Sequence, residues 1–548
     1  MPCWPRRCHA TESMTPVPGL GFLSVCARVD SPDSRRVITP RYNRQMADIV
    51  LATLNAKYIH ASLGLRCLLA NLGGLRERAQ LMEFTIDQRP VEIAEKLLAG
   101  RPRLIGLGVY IWNAEETARL VGVLKRVAPG VVIVLGGPEV SHEPHEQPLV
   151  TLADYVIAGP GELAFAALAQ DLLTGRHPAH KFIQAAQPAL AELALPYDEY
   201  TDEDIAHRLL YVEASRGCPF RCEFCLSSRD KTAWPFELDR FVAAMETLHR
   251  RGVRHFKFVD RTFNLNVKAS QRILDFFLAR LSDDLFLHFE VIPDHLPDGL
   301  KTRLVHFPPG TLQLEVGVQS FDPEVQALIS RKQDNAVSEQ NLAWLREHTH
   351  AHLHADLIIG LPGEDVASFA QGFDRLWAVR PHEIQVGLLK RLRGAPIARH
   401  TAAYGLCFDP HPPYTVLATG QIDFATMQRL ARFARYWDLV GNSGRFPKTL
   451  PVLLGDAPFA NFLAFSDWLW ARTGQTNRIA LPRLFERVHE FLLTRGAAPE
   501  LVLTALAADC AVHGAKGCPG FLHPHLAALR QERRPSTAPE RQARHLRG

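Results

Sequence analysis

Three cysteines lie close together in one short segment of the chain. The segment SRGCPFRCEFC places Cys218, Cys222 and Cys225 at CxxxCxxC spacing. Thiolates this close on one loop can converge on a metal ion or an iron–sulfur cluster. Three thiolates neither complete a tetrahedral zinc site nor saturate four irons, so one coordination position stays open. The spacing therefore predicts a metal centre that can bind a further ligand.

A structural zinc site is the alternative interpretation, and it needs a fourth ligand. The nearest downstream histidine, His249, lies within a predicted helix and not at the spacing of a zinc finger. Ten cysteines in 548 residues are too few for a secreted disulfide scaffold. We therefore expect a metal centre in a reducing compartment and a cytoplasmic protein.

The elements around the cysteines predict a barrel. Between residues 206 and 400, strand-length runs alternate with helical stretches: LLYVEAS, HFKFVD, LHFEVI, TLQLEVGVQS, HADLIIGLP and EIQVGLLK. Such strand–helix repeats indicate a partial (β/α)6 TIM-like barrel, whose chemistry lies at the carboxyl ends of the strands. The cysteines follow the first of these strands, which places them at that end.

The cysteine loop and the barrel together resemble the radical S-adenosylmethionine (SAM) enzymes. In that family three cysteines hold a 4Fe-4S cluster, and the amino and carboxylate groups of SAM bind the open iron. The resemblance implies that Cys218, Cys222 and Cys225 are the cluster ligands and that Phe224 packs near the adenine. It also implies that the reduced cluster cleaves SAM to a 5′-deoxyadenosyl radical, which abstracts hydrogen from an unactivated carbon.

Later barrel segments carry further similarity to this family. FVDRTFN resembles the segment that helps to hold the SAM amino group, LQLEVGVQSFDPEVQALISRK the fourth-strand signature, and HADLIIGLPGED the fifth-strand signature beside the adenine. Turns, helix caps or surface pairs could explain each residue singly, but not their order along the chain. The residues implied on the SAM side are Asp260 for the amino group, Glu315, Gln319, Arg331 for the carboxylate, Ile359, Gly360 and Gly363.

A second alternating series precedes the barrel. From Met46 to residue 175, the runs IVLATL, AQLMEFTI, LIGLGVYI, VVIVLGG and YVIAG alternate with helical stretches, which predicts a doubly wound parallel sheet. LGGPEVSHEP and ADYVIAGPGELAF are similar to the cobalamin-binding domain that precedes the barrel in one large subgroup of the family. There, turns without a Cβ let the backbone approach the cofactor. The counterparts here are Gly136, Gly137, Gly159, Gly161 and Glu162.

The axial ligand of such a cobalamin stays open. Many cobalamin domains supply a histidine from DxHxxG, whereas NAKYIHASLG has Tyr58 two residues before His60 and Gly64 four residues after it. Cobalamin bound without a protein histidine is the interpretation that we favour, because the macrocycle makes many other contacts. A degenerate sheet that no longer binds cobalamin is the alternative. We expect His60 at a helix start or beside the substrate.

The two cofactors together imply a function. Methylation of an unactivated carbon of an unknown substrate is the leading interpretation, with flavodoxin or ferredoxin as an example of the electron donor. Radical rearrangement or cyclisation without methyl transfer is an alternative, and a non-enzymatic corrinoid or iron–sulfur sensor is an alternative of another class. Methylthio transfer is disfavoured, because Cys67 is the only cysteine between Met46 and residue 175.

Composition and periodicity complete the domain plan. The 62 basic and 58 acidic residues give a net charge of +4, which indicates neither nucleic acid nor a membrane surface as a partner, and no apolar run has the length of a membrane span. PPYTVLATGQIDF and WDLVGNSGRF resemble an uncharacterised domain that follows the barrel in some members. The predicted segments are a disordered extension (1–45) before a natural start at Met46, the sheet domain (46–175), a linker (176–205), the barrel (206–400), a helical domain (401–529) and a disordered tail (530–548).

Several outlying residues stay open. A second metal site near the end of the helical domain lacks a fourth ligand. Isolated cysteines are expected in the core, and polar residues near the barrel strands could face substrate or solvent. The residues near the possible metal site are Cys510, His513 and Cys518, and the isolated cysteines are Cys67 and Cys407. The polar residues near the barrel strands are His352, His354, Arg391 and Arg393.

Overall fold

A computed structural model describes residues 47–230, 232–511, 517–526 and 539–545. The predicted extension, His513 and most of the predicted tail lie outside these residues. Within the described residues, no helix combines the length and the apolar character that crossing a membrane requires.

The first sheet has six parallel strands in the order β2-β1-β3-β4-β5-β6. Helices cover both faces, and all seven residues of β1 are buried, as expected of a parallel sheet wound on both sides. The strand order reverses between β1 and β3, the kind of position where such sheets bind ligands. The elements are β1 (Ile49–Asn55), α1 (Leu63–Ala70), β2 (Ala79–Thr85), α2 (Pro90–Leu98), β3 (Leu104–Gly108), α3 (Ala114–Val127), β4 (Val132–Gly136), α4 (Pro148–Leu152), β5 (Tyr155–Ala158), α5 (Glu162–Leu173) and β6 (Phe182–Gln184).

The segment expected to be a linker contains regular structure. β6 lies within it and pairs with β5 at the edge of the sheet. Helix α6 (Asp202–His207) also forms there, and Thr201 and Asp204 close a capping box at its start. A strand of three residues shows no periodicity, which is why the sequence pattern missed it.

The barrel has six parallel strands in the order β14-β13-β12-β11-β10-β7, which confirms the partial barrel. Residues of β12 alternate between the apolar core and the barrel interior, so Glu315 and Gln319 point inward. The elements are β7 (Leu210–Val212), β8 (Ser215–Gly217), β9 (Ala233–Pro235), α7 (Leu238–Arg250), β10 (His255–Phe258), α8 (Val267–Leu278), β11 (Phe286–Val291), α9 (Asp298–Leu304), β12 (Leu312–Gln319), α10 (Pro323–Leu328), α11 (Asn335–His348), β13 (His352–Ile359), α12 (Val366–Val379) and β14 (Glu383–Leu388).

The C-terminal region is helical, as predicted, and shares one apolar core with the barrel. Trp437 of α13 lies in this core, and its indole donates a hydrogen bond of 2.9 Å to the Ile384 carbonyl of β14. The elements are β15 (Cys407–Phe408), β16 (Val416–Ala418), α13 (Phe424–Val440), α14 (Thr449–Leu454), α15 (Pro458–Thr473), α16 (Leu481–Thr494), α17 (Pro499–Ala511), α18 (His523–Leu526) and α19 (Glu540–His545).

Two expectations for the C-terminal region were wrong, and the second metal site that the sequence disfavoured is not supported either. Cys407 is exposed rather than buried, although Cys67 is buried as expected. Cys510 and Cys518 form a disulfide, which does not support a metal site there. Residues expected to be a disordered tail include α19, which packs at the amino end of the barrel through a hydrogen bond between Gln542 and Gln313. A helix of six residues is too short to reveal itself by periodicity.

Candidate functional site

The cysteines lie on a loop whose base is a two-stranded ribbon. β8 ends directly before residues 218–230, which we call the cluster loop, and pairs in an antiparallel manner with β9, which begins at Ala233. Gly217 has φ +90°, and a Cβ there would lie 2.3 Å from the Thr232 carbonyl oxygen. The ribbon therefore requires a glycine directly before Cys218.

The three cysteines line one cavity of about 230 Å³ at the carboxyl end of the barrel, which we call the barrel cavity. Cys218 and Cys222 are buried, and none of the three forms a disulfide. Burial, together with the neighbouring thiols, raises the pKa of Cys218 to about 11. A bound cation would favour the thiolate form of the buried Cys218, and three converging sulfur atoms fit an iron–sulfur cluster with an open position.

Four of the residues implied on the SAM side line the same cavity: Phe224, Glu315, Gln319 and Arg331. The Arg331 guanidinium donates to Cys222 Sγ at 3.5 Å. Gln319 sits at a bulge with φ +73°. Burial alone would raise the pKa of Glu315, but a 2.7 Å hydrogen bond with His288 helps to lower it to about 2. The positively charged Arg331 and the negatively charged Glu315 thus line the same cavity as the cysteines.

The remaining implied residues do not line this cavity. The Asp260 carboxylate accepts hydrogen bonds from the Ala214 amide (3.0 Å), the Ser215 amide (2.5 Å) and the Ser215 hydroxyl (2.6 Å). Ile359 is in the core, and a Cβ at Gly360 would lie 2.7 Å from Val416. Their contacts with SAM remain predictions, whereas their packing roles are evident.

Gly363, like Gly360, has no room for a Cβ. Its φ is +81°, and a Cβ there would lie 2.9 Å from Leu328. The requirement for glycine at this turn thus comes from packing against α10 and from the left-handed backbone.

Polar residues that the sequence analysis missed also line the barrel cavity. Arg261 donates to Glu290 at 2.9 Å. Asp356 lines the cavity, and its Oδ1 is buried without a hydrogen-bond partner among the described residues. Burial and the nearby Glu315 charge raise the pKa of Asp356 well above its usual range. Strand alternation puts Asp356 on the same face as His354, a signal that the sequence did contain.

Glu223, between the second and third cysteines, anchors the cluster loop. Its carboxylate accepts 2.7 Å hydrogen bonds from the Ser330 hydroxyl and from Arg399, and a third 2.7 Å contact joins it to His400. Its backbone amide also donates to the Ile329 carbonyl at 3.0 Å. Glu223 is 3% exposed, so the middle of the loop is fixed to the barrel.

A larger cavity of about 830 Å³ lies beyond the carboxyl ends of the first sheet, and we call it the sheet cavity. Its volume is near the upper end of the ~300–1,000 Å³ usual for small-molecule sites. Gly137 has φ +109°, and a Cβ there would lie 2.4 Å from the Val109 carbonyl oxygen. The glycines on its surface leave backbone accessible to a bulky ligand: Gly64, Gly106, Gly108, Gly136, Gly137, Gly159 and Gly161.

Glu162, the last residue implied for cobalamin, also lines the sheet cavity and joins the sheet to the barrel. It is 2.8 Å from Arg216, which is 2.9 Å from Glu213. Arg216 directly precedes the turn into the cluster loop. The ion pair therefore holds the start of that loop against the sheet.

His60 lies at the contact between the sheet domain and the barrel. Its Nδ1 is 2.7 Å from the Tyr211 hydroxyl, and His60 is not among the residues that line the sheet cavity. Tyr110 does line this cavity and stacks on Trp112, with ring centroids 4.5 Å apart.

Two arginines near the barrel strands bind the sheet domain. Arg391 is 3.0 Å from Glu143, and Arg393 is 3.2 Å from Glu139. The Tyr414 hydroxyl donates to Glu139 at 2.5 Å. These arginines therefore join the barrel and the C-terminal region to the loop after β4.

Comparison with protein families gives three matches. The profile of the B12 binding domain matches residues 49–169, that of the radical SAM superfamily residues 212–376, and that of a protein of unknown function, DUF4080, residues 402–534. The fold and the two cavities thus define a radical SAM barrel with a B12 binding domain in front of it. The chain belongs to the family of radical SAM proteins with an N-terminal cobalamin-binding domain, as the sequence predicted.

Two relatives agree with this assignment. The uncharacterized methyltransferase PH0819 of Pyrococcus horikoshii is 25% identical over 302 residues, which cover 50% of this chain and 63% of the relative. The cobalamin-dependent radical SAM methyltransferase TokK of Streptomyces tokunonensis is 25% identical over 335 residues, or 54% of this chain and 48% of the relative. The chain thus spans less than two thirds of either relative.

The predicted fold class is confirmed by a solved structure. The cobalamin-dependent S-adenosylmethionine radical enzyme OxsB, with aqua-cobalamin and S-adenosylmethionine bound, matches with a TM-score of 0.59 at 13% identity. The match covers 89% of this chain and 84% of OxsB, so it includes the sheet, the barrel and part of the helical region.

Proposed function

We propose that this chain is a cobalamin-dependent radical SAM methyltransferase that acts on an unactivated carbon of a substrate not yet identified. One observation carries the proposal: the cluster loop is a wall of both cavities. Its cysteines and Ser228 line the barrel cavity, whereas Leu226, Ser227, Arg229 and Asp230 line the sheet cavity. Two cofactors in these cavities would lie on opposite sides of one short loop.

Each group of residues has a defined task. Cys218, Cys222 and Cys225 hold the 4Fe-4S cluster, and the Arg331 charge binds the SAM carboxylate. The glycine turns of the sheet cavity bind cobalamin through the backbone. When bound, these groups supply a 5′-deoxyadenosyl radical and a methyl donor. The protein orients them and keeps water out of the space between them.

The names of the relatives favour methyl transfer over radical rearrangement. PH0819 and TokK both carry methyltransferase in their names, and TokK is named as cobalamin-dependent. Because the shared region covers only part of each relative, the substrate must be found by experiment. The reaction also requires a one-electron donor, for which a cytoplasmic flavodoxin or ferredoxin is our proposal.

The test measures all cofactors in one sample. The full chain is produced with cobalamin, handled without oxygen, reduced and mixed with SAM; iron, corrinoid, 5′-deoxyadenosine and S-adenosylhomocysteine are then quantified. We expect about four irons per chain and near-stoichiometric corrinoid. Cys222→Ala should abolish SAM cleavage, and Cys407→Ala, an exposed cysteine, should not.

Each other outcome contradicts part of the proposal. Iron and SAM cleavage without corrinoid would refute the cobalamin role. Both cofactors without SAM cleavage would favour the sensor. 5′-Deoxyadenosine without S-adenosylhomocysteine, once a substrate is present, would favour rearrangement or cyclisation.

A further inference from the structure

A group of metal-ligating side chains lies at the amino end of the barrel, away from both cavities. His352 is the first residue of β13, Glu383 the first residue of β14, and His545 the last residue of α19. His352 Nε2 is 3.0 Å from Glu383 Oε1, and His545 Nε2 is 3.8 Å from the same oxygen. One ligand atom from each residue lies within 4.8 Å of the other two.

A backbone oxygen lies beside His545 and also accepts a 3.1 Å hydrogen bond from Arg541 Nε. The Asn442 carbonyl oxygen is 3.0 Å from His545 Nε2. The Asn442 side chain accepts from the Ile384 amide and donates to the Ile384 carbonyl, both at 2.9 Å, which fixes this residue beside Glu383. Glu383 and His352 are each 6% exposed, and Asn442 is 3% exposed.

The distances fit a small tetrahedral ion. With bonds of about 2.0–2.1 Å, the ligands of tetrahedral zinc lie about 3.3 Å apart. The separations between His352 and Glu383 (3.0 Å), His545 and the Asn442 oxygen (3.0 Å), and His545 and Glu383 (3.8 Å) lie around this value. The ligand atoms of His352 and His545 lie within 4.8 Å of each other. Two imidazoles, one carboxylate and one carbonyl form an N/O ligand set that suits Zn²⁺.

Neighbouring side chains orient two of the ligands. Arg541 is 2.7 Å from Glu383 Oε2, the oxygen that does not face the histidines. The His382 ring stacks on His352 with centroids 4.7 Å apart. Such outer contacts are typical of metal ligands, whose orientation they fix.

We propose that His352, Glu383, His545 and the Asn442 carbonyl bind one structural zinc ion, which holds α19 against the amino end of the barrel. The four ligands lie at positions 352, 383, 442 and 545, so no short ligand motif in the sequence would reveal the site. Because Gln542 of α19 also bonds to Gln313 at the start of β12, the fastened helix covers the amino end of the barrel. This zinc site is independent of the proposed reaction at the opposite end.

The test counts zinc in the cluster-loaded full chain. The protein is incubated with zinc, passed over a weak chelating resin and analysed for metals by mass spectrometry. We expect about one zinc per chain, with a first shell of only N and O at about 2.0–2.1 Å in zinc-edge X-ray absorption. The shell composition separates this site from zinc bound adventitiously by cysteines.

Variants assign the zinc to these residues. His545→Gln changes only the end of α19 and should lower the zinc content at least fivefold, without changing the iron content. His352→Gln should do the same, and His348→Gln, a half-exposed histidine on α11, should keep the zinc. Wild-type protein without zinc, sulfur in the zinc shell, or full zinc content in His545→Gln would each overturn the proposal. Because iron and SAM cleavage are measured separately, failure of the zinc site is distinguishable from failure of the proposed function.

Discussion

Replacing Asp260 by alanine should empty the cluster loop of iron rather than simply weaken SAM binding. The Asp260 carboxylate is 3% exposed and accepts hydrogen bonds from two amides and one hydroxyl of Ala214 and Ser215. A buried donor left without its acceptor costs about 1–3 kcal/mol, so leaving these three donors unpaired costs at least ~3 kcal/mol. Since 1.4 kcal/mol is a factor of ten, the ordered arrangement before Cys218 would become roughly 100-fold less populated.

The assay is anaerobic cluster reconstitution followed by iron analysis and equilibrium dialysis with SAM. Asp260→Ala should hold well under half of the wild-type iron, and Asp260→Asn, which keeps one acceptor oxygen, should lie between the two. Asp294→Ala is the control, because Asp294 lines the barrel cavity and, among the residues that the structure describes, its carboxylate accepts one hydrogen bond, from the Asp334 amide. Normal iron in Asp260→Ala with a tenfold loss of SAM affinity would refute this reasoning and support the direct SAM contact that the resemblance implies.

Three further changes test other parts of the chain. Arg331→Met should keep its iron but lose at least ~10-fold in SAM affinity by dialysis, since a hydrogen bond to a charged group contributes ~1.5–3 kcal/mol; unchanged affinity would contradict the carboxylate role. Gly137→Ala should lose corrinoid, because the new Cβ would lie 2.4 Å from the Val109 carbonyl oxygen at a backbone φ of +109°. Gly130→Ala should retain corrinoid, because a Cβ at Gly130 would have nothing within 4 Å. Equal corrinoid content in the two variants would contradict the prediction. Burial raises the pKa of Glu364 to about 8, so its contribution to stability declines as pH rises from about 4.5 towards 8, by about 1.4 kcal/mol per unit. The midpoint temperature of thermal unfolding should therefore decrease as the pH rises from 6 to 8 in the wild type, and decrease less in Glu364→Gln. The same decrease in both proteins would refute the role of Glu364.

The sequence predicted those parts of the site that depend on local pattern. Strands such as β12 alternate over eight residues, and the cysteine spacing is local, so both could be recognised without a structure. Asp260 could not be assigned in the same way. Its position at the end of β10 was correct, but the partners of its carboxylate lie 45 and 46 residues earlier in the chain. Contacts of that separation leave no periodic trace in a single sequence.

The same limit explains why Glu223 and α19 were missed. A glutamate between two cysteines gives no sign that Arg399 and Ser330 will surround it. Helix α19 contributes only six residues, and it is placed by contacts with a strand that lies more than 150 residues before it. Sequence patterns define elements, whereas the partners of buried charges are defined by how the elements pack.

The way in which the cluster loop is held links the two cavities. Asp260 fixes the residues before the loop, Glu223 fixes its middle, and Arg229 near its end donates to the Gly394 carbonyl at 3.0 Å. The anchors come from the end of β10, from the segment after α10 and from the segment after β14. Because the two sides of the loop line different cavities, a shift at any one anchor moves both walls together. A variant that loosens the loop should thus impair binding in both cavities, whereas a variant of a residue lining only one cavity should impair one, as the contrast between Asp260→Ala and Gly137→Ala would reveal.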